Sequence, residues 1–142
     1  MKPQNLLIYS TIIILHLIFF IFTYWLYFPY QVYKLNTPHN TDKRSYRGGE
    51  FVRYHVIGEE VRDCEHATVI REIINGVVIT ALEENTNGID TGKVDFWSKG
   101  VELPRYLDGT YKIRITRRCQ VNPIRTITNV TETRPFTVTK GD

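Results

Sequence analysis

The chain has 142 residues, two cysteines and a formal net charge of +3. That length leaves room for one folded domain of ordinary size and excludes a long repeat array. Two cysteines allow one disulfide but are too few for a cysteine-based zinc site, and so small a net charge selects no partner by itself.

Leu6 to Phe28 is a run without a charged residue. A helix of that length spans roughly 34 Å, enough to cross a hydrocarbon core of about 30 Å. It also lacks the polar face that a core helix of a soluble protein shows. Tyr24, Trp25, Tyr27, Phe28, Tyr30 and Tyr33 form an aromatic run suited to the membrane–water interface, and Pro29 stops the helix. Bulky aromatics stand where cleavage of a signal peptide would need small residues. Residues 1–33 are therefore expected to be a retained, single-pass anchor in the lipid bilayer. A type IV pilin would carry a processing site and a glutamate near the helix start, and Met-Lys-Pro-Gln-Asn-Leu offers neither. His16 is an ionisable residue inside the span, a position that marks function by default. With no second polar partner nearby in sequence, it reads as a tolerated neutral side chain.

Orientation pulls two ways. Lys34, Lys43, Arg44 and Arg47 follow the span against Lys2 before it, which favours a cytoplasmic domain by the count of positive charges. Long domains cross largely regardless of charge, however. A cysteine pair favours an oxidising compartment, so the domain is expected to be extracytoplasmic, at the inner membrane of the cell.

Residues 34–46 are polar and read as a flexible tether, and Gly48-Gly49 marks the entry to a domain over 47–142. From there strand patterns dominate. Phe51–Ile57 places Val52, Tyr54 and Val56 on one face. Ala67–Ile74 and Val77–Leu82 flank Asn75-Gly76, a strong hairpin signature. Residues 83–92 read as a polar loop, and its Glu83-Glu84 pair, like Glu59-Glu60, as solvated loop charges. Lys93–Trp97 is a short strand and Val101–Leu103 an edge piece. In Thr110–Val121 the row Tyr111, Ile113, Ile115, Arg117, Cys119, Val121 alternates with Lys112, Arg114, Thr116, Arg118, Gln120. The first row is mostly apolar, interrupted by Arg117, and the second is polar, as in a half-buried strand. Ile124–Val130 and Phe136–Thr139 complete the series, Pro135 marking an edge or bulge.

About six to eight short strands with turn signals between them, and no helix after Phe28, imply an all-β sandwich. Leu107-Asp108-Gly109-Thr110-Tyr111 resembles the approach to a tyrosine corner in immunoglobulin-like and fibronectin-like domains, which implies a Tyr111 hydroxyl bonded to backbone just upstream. Ile113 stands where an antibody-type domain has its second cysteine, so the similarity is to sandwiches broadly. Cys119 falls on the inward row, and Cys64 begins another strand that could approach from the facing sheet. The two are expected to form a disulfide.

Four segments also point to a family: Arg47-Gly48-Gly49-Glu50-Phe51, the same Leu107-Asp108-Gly109-Thr110-Tyr111, Val121-Asn122-Pro123-Ile124-Arg125-Thr126-Ile127 and Thr133-Arg134-Pro135-Phe136-Thr137-Val138. Through these, the run from Arg47 to Val138 resembles short, membrane-anchored proteins encoded by tailed bacteriophages. The resemblance implies action at a host membrane. Its motifs are turns and strand edges, none of them catalytic, so it supplies no mechanism.

The chemistry-bearing residues are few. His39, His55, His66, Cys64 and Cys119 do not form a blue-copper pattern, because no histidine follows Cys119 and the only methionine is Met1. There is no Gly-x-Ser-x-Gly and no phosphate loop, and Ser45 and Ser98 lie away from any histidine in sequence. No metal, cofactor or catalytic residue is expected, and the chain is not expected to be an enzyme. Lys112, Arg114 and Arg118, with Arg117 and Arg125 nearby, could bind phosphates or an acidic partner. The competing reading is a solvated face paired with the acidic half of the domain: residues 50–92 balance to −6 and residues 93–142 to +5. Nucleic acid is not expected for a domain outside the cytoplasm. Two functions remain in view, a membrane-anchored module that binds a protein partner and an accessory subunit in which the helix itself is the interacting part.

Overall fold

The computed structural model describes residues 3–28, 31–89 and 91–142. Helix α1 covers Pro3–Tyr27, and Ile8–Tyr27 is long and apolar enough to cross a membrane. From Ile8 to Tyr27 isoleucine, leucine and phenylalanine point outward all around this helix, and none of them is buried by the rest of the chain. A helix of that kind has no apolar partner in its own fold and needs an apolar surrounding. Two of its polar side chains bond to the helix's own backbone: His16 Nδ1 donates to the Ile12 carbonyl at 2.8 Å and Thr23 Oγ1 to that of Phe19 at 2.8 Å. Of the aromatic cluster at its end, Tyr24, Trp25 and Tyr27 are solvent-accessible, whereas Tyr30 and the stop at Pro29 lie outside the described residues.

The rest of the chain is strand: β1 Tyr33–Leu35, β2 Asn40–Thr41, β3 Ser45–Arg47, β4 Phe51–Val52, β5 Tyr54–Glu60, β6 Cys64–Asn75, β7 Val77–Ile89, β8 Gly92–Trp97, β9 Val101–Glu102, β10 Gly109–Asn122, β11 Arg125–Glu132 and β12 Phe136–Thr139. In one sheet β5 is flanked by β8 and, on its other edge, by β1 and β2. In the other, β3, β12, β10, β6 and β7 follow in order, and β11 pairs with the far part of β10. The short ribbon β4–β9 makes a third pairing. Val52, Tyr54 and Val56 from the first half of the domain meet Val69, Ile73, Ile113 and Ile115 of the larger sheet in one buried cluster. Period-two alternation in β5 and β10 puts these side chains on facing surfaces.

Three expectations change. Residues 34–46 are not a free tether. They supply β1, β2 and part of β3, and His39 is laced to β11 and beyond by backbone bonds from His39 N to Glu132 O and from Arg134 N to His39 O, both 2.9 Å. Polar side chains did not advertise this, because the stabilising groups are backbone donors and acceptors that every residue carries. Tyr33 is not at the membrane interface but buried in β1, beside Val32 and the two cysteines. The expected loop at 83–92 is mostly strand: β7 continues to Ile89, and Asn85 on it is bonded across the pair, Thr68 Oγ1 donating to Asn85 Oδ1 at 3.0 Å. The expected hairpin is present, with Gly76 at φ 72° in the left-handed region.

Cys64 and Cys119 form a disulfide, Cα atoms 5.7 Å apart. They join neighbouring strands of one sheet rather than facing sheets, since β6 pairs with β10 as far as Ala67 opposite Cys119. Tyr111 is buried, and its hydroxyl donates to the Asp108 carbonyl at 3.0 Å, the upstream backbone bond that the turn sequence predicts. Asn122, the last residue of β10, donates its side-chain amide to the Trp25 carbonyl at 2.7 Å.

Candidate functional site

Arg117 occupies an inward position on β10, between Ile115 and Cys119, and is only 6 % exposed. Alternation alone put it there. Burying a guanidinium is costly unless it is paired, so its surroundings matter. Thr131 of β11 accepts from Arg117 Nη1 at 3.3 Å. Among the described residues no carboxylate lies within ion-pair distance of it. Burial lowers the pKa of Arg117, while Tyr54, Tyr33 and the carboxyl of Glu60, at the end of β5, act on it through space in the opposite sense.

Glu60 (4 % exposed) and His39 (2 % exposed) complete a buried polar group around Arg117. Burial pushes the Glu60 carboxyl up to about 6, with the Arg117 charge opposing that rise. Burial, reinforced by the Arg117 charge, pulls His39 down to about 4, so its ring is neutral at pH 7. His39 Nε2 and Thr131 Oγ1 are 3.0 Å apart. Glu60 Oε2 and His39 Nδ1 have no hydrogen-bond partner within the described residues. Burial also raises the Tyr33 hydroxyl above its ordinary range.

On its other side Arg117 lines a cleft of about 330 Å³ that opens between β7 and β8. Arg71 of β6 reaches across it, donating from Nε to the Tyr54 hydroxyl at 2.9 Å and from Nη1 to Glu84 at 2.8 Å. Lys99 closes on the other Glu84 oxygen at 3.2 Å. These bonds, that from Arg71 foremost, hold the Glu84 carboxyl below its ordinary value. Phe96, half exposed, supplies an apolar wall. The cleft thus contains three cations, Arg71, Lys99 and Arg117, and one carboxylate, Glu84, and can accommodate an anionic group.

Lys112, Arg114 and Arg118 do share the outward face of β10. They do not form a free basic patch. Lys112 lies 3.4 Å from Glu132, and Arg114 is 3.7 Å from both Glu72 and Glu132. Arg118 is exposed between Thr68 and Thr128 of the neighbouring strands. Arg125 is half-buried at the start of β11. The two charge-biased halves of the sequence interleave, because β6 and β10 are adjacent, and they do not present separate faces. The glutamate pairs split across their strands, as alternation requires: Glu59 is exposed while Glu60 is buried, and Glu83 is exposed while Glu84 bridges cations.

The histidines are scattered. His55 stacks on Trp97 with ring centroids 4.7 Å apart and meets Asp95 at 2.6 Å, and His66 is exposed on β6. Among the described residues no group of three histidine, cysteine or acidic side chains could hold a metal ion. Ser98 is buried and accepts from Tyr54 N at 3.0 Å, and Ser45 meets Thr137 at 2.8 Å. Both hydroxyls serve the backbone or a neighbouring strand, with no histidine as base.

Sequence reasoning singled out Arg117 but missed its partners. Glu60 could have been found, because Tyr54, Val56, Gly58 and Glu60 share one face once β5 is extended past Ile57. His39, Arg71, Glu84 and Lys99 carry no local pattern, and only strand order assembles them. No protein-family model matches the chain, and no curated protein matches it.

Proposed function

We propose that this is a single-pass membrane protein whose β domain is a non-enzymatic binding module held against the outer face of the cell membrane. The fold is read as an immunoglobulin- or fibronectin-like sandwich. Two facing sheets sharing one core and the Tyr111 to Asp108 bond support this reading. The resemblance of the run from Arg47 to Val138 to phage-encoded anchored proteins supports a host membrane as the place of action.

The observation that carries the proposal is the short junction between helix and domain. α1 ends at Tyr27, and Val32 is already in the core beside the disulfide. Even fully extended, the residues between them reach less than about 20 Å. The domain therefore rides on the bilayer surface with its Cys64–Cys119 end nearest the lipid, and a partner must come to it there. The disulfide supports an oxidising, extracytoplasmic side. Retention of the anchor is supported by the lack of a slack, small-residue segment after Phe28.

Photo-crosslinking in cells tests the module reading. The chain with its own anchor and a chain with α1 replaced by an unrelated membrane helix should give the same protein adducts. Adducts that vanish on replacement would instead favour the accessory-subunit reading, with the helix as the contact. N-terminal sequencing of the membrane fraction should find the mature chain starting before Leu6, and a start beyond Phe28 would mean a cleaved signal sequence.

A further inference from the structure

We infer that the cleft between β7 and β8 is the docking site of that module, and that it takes one carboxylate presented by an extended polypeptide segment of a partner protein, with Arg117 as counter-ion. This rests on the binding-module reading and adds the site and its chemistry. Arg117 is the deepest of the cleft cations. Thr131 takes one of its donors, and among the described residues no carboxylate forms an ion pair with the fork, which lines the cleft. A planar fork of that kind matches a carboxylate.

Charge and burial select a monoanion. Arg71 and Lys99 are already committed to Glu84, which leaves one uncommitted cation at the floor. A dianion such as phosphate would carry an uncompensated charge out of water and past Glu84, at a desolvation cost that one guanidinium does not offset.

The mouth selects an extended chain. β7 is the terminal strand of its sheet, bonded on one side to β6. Among the described residues no strand pairs with the other edge of its 13 residues, and Val78 and Leu82 are exposed on it. An incoming strand can pair with such an edge while its alternate side chains enter pockets. Glu84 and Thr86 of β7 line the cleft itself, so a glutamate on that strand would be led toward Arg117.

The test uses the full chain in detergent micelles, labelled with ¹⁵N-arginine, with the Arg117 Nε–H resonance followed by NMR. The probes are a blocked pentapeptide of valine and threonine with a central glutamate, the same peptide with glutamine, benzoate, and inorganic phosphate. The glutamate peptide is expected to shift the resonance saturably and the glutamine peptide at least tenfold more weakly. Benzoate and phosphate should both bind more weakly than the glutamate peptide. Equal binding of the two peptides overturns the carboxylate. Benzoate as tight as the peptide would mean a site for free small acids, and phosphate tighter than either would mean a phosphate site. Either result overturns the inference. Arg117→Lys should weaken the glutamate peptide at least tenfold. Should that variant not fold, Lys99→Ala, at an exposed rim position, should weaken it about threefold, and unchanged affinity there counts against the cleft. A failed titration with crosslinked adducts intact sinks the cleft alone, whereas lost adducts with peptide binding intact sink the module reading.

Discussion

Glu60 and His39 titrate in opposite senses within one buried cluster. The folded pKa of Glu60 is raised to about 6, so its contribution to stability is fully present below its unfolded value and is lost as pH rises through 6. The folded pKa of His39 is lowered to about 4, so its contribution is present above its unfolded value and is lost as pH falls toward 4. At 1.36 kcal/mol per unit these amount to about 2 and about 3 kcal/mol. Between pH 6.5 and 4.5 the two trends oppose each other. Glu60→Gln should therefore make the protein more stable than wild type at pH 7.5, by about 2 kcal/mol, and make its melting temperature fall more steeply on acidification. His39→Gln should do the reverse, with stability rising relative to wild type as pH drops from 6.5 to 4.5. Thermal melts across that window check both, and parallel curves for all three proteins would contradict the assignment.

At the scale of single elements, the junction strand β1 and the β6–β7 hairpin each depend on one glycine. A Cβ at Gly58 would strike the Lys34 carbonyl and Leu35 Cα, both backbone atoms of β1. Gly58→Ala should cost about 1 to 3 kcal/mol by overpacking and should release the Lys34 and Leu35 amides to hydrogen exchange while leaving those of β10 protected. Nothing crowds Gly76, but its φ of 72° is a conformation that side-chain-bearing residues adopt at a penalty. Gly76→Ala should cost about 1 kcal/mol, seen as a lower urea midpoint with an unchanged m-value. The hairpin was readable from Asn75-Gly76 because turn chemistry is local. The β1 pairing was not, because Tyr33–Leu35 joins Gly58–Glu60 across some twenty-five residues through backbone groups that leave no trace in side-chain pattern.

For the whole molecule, the disulfide is the main covalent constraint on a small domain. It closes a loop with a sequence separation of 55, which on the chain-entropy model stabilises the fold by about 4 kcal/mol. Replacing both cysteines by alanine should lower stability by about that amount in chemical denaturation, and a loss below about 1 kcal/mol would place the stabilisation elsewhere. Thiol labelling of the denatured, unreduced protein from intact cells should find both sulfurs blocked. Full labelling would remove the main support for an extracytoplasmic domain.

The sequence by itself determined the apolar helix, the strand-rich class, the inward row of β10 with Arg117 on it, the Asn75-Gly76 turn and, through its resemblance to a tyrosine corner, a bond from Tyr111 to backbone just upstream. Each follows from periodicity or turn chemistry within a few residues, which is where sequence acts directly on backbone conformation. Tertiary structure alone decided that residues 34–46 belong to the domain, that Tyr33 is core and that the polar stretch after Leu82 continues β7. It also decided that Lys112 and Arg114 are neutralised by Glu72 and Glu132 and that Arg117, Glu60 and His39 share one interior. These outcomes depend on which strands lie side by side. Strand order is set by burial and backbone pairing summed over the whole domain, so no local stretch of sequence encodes it.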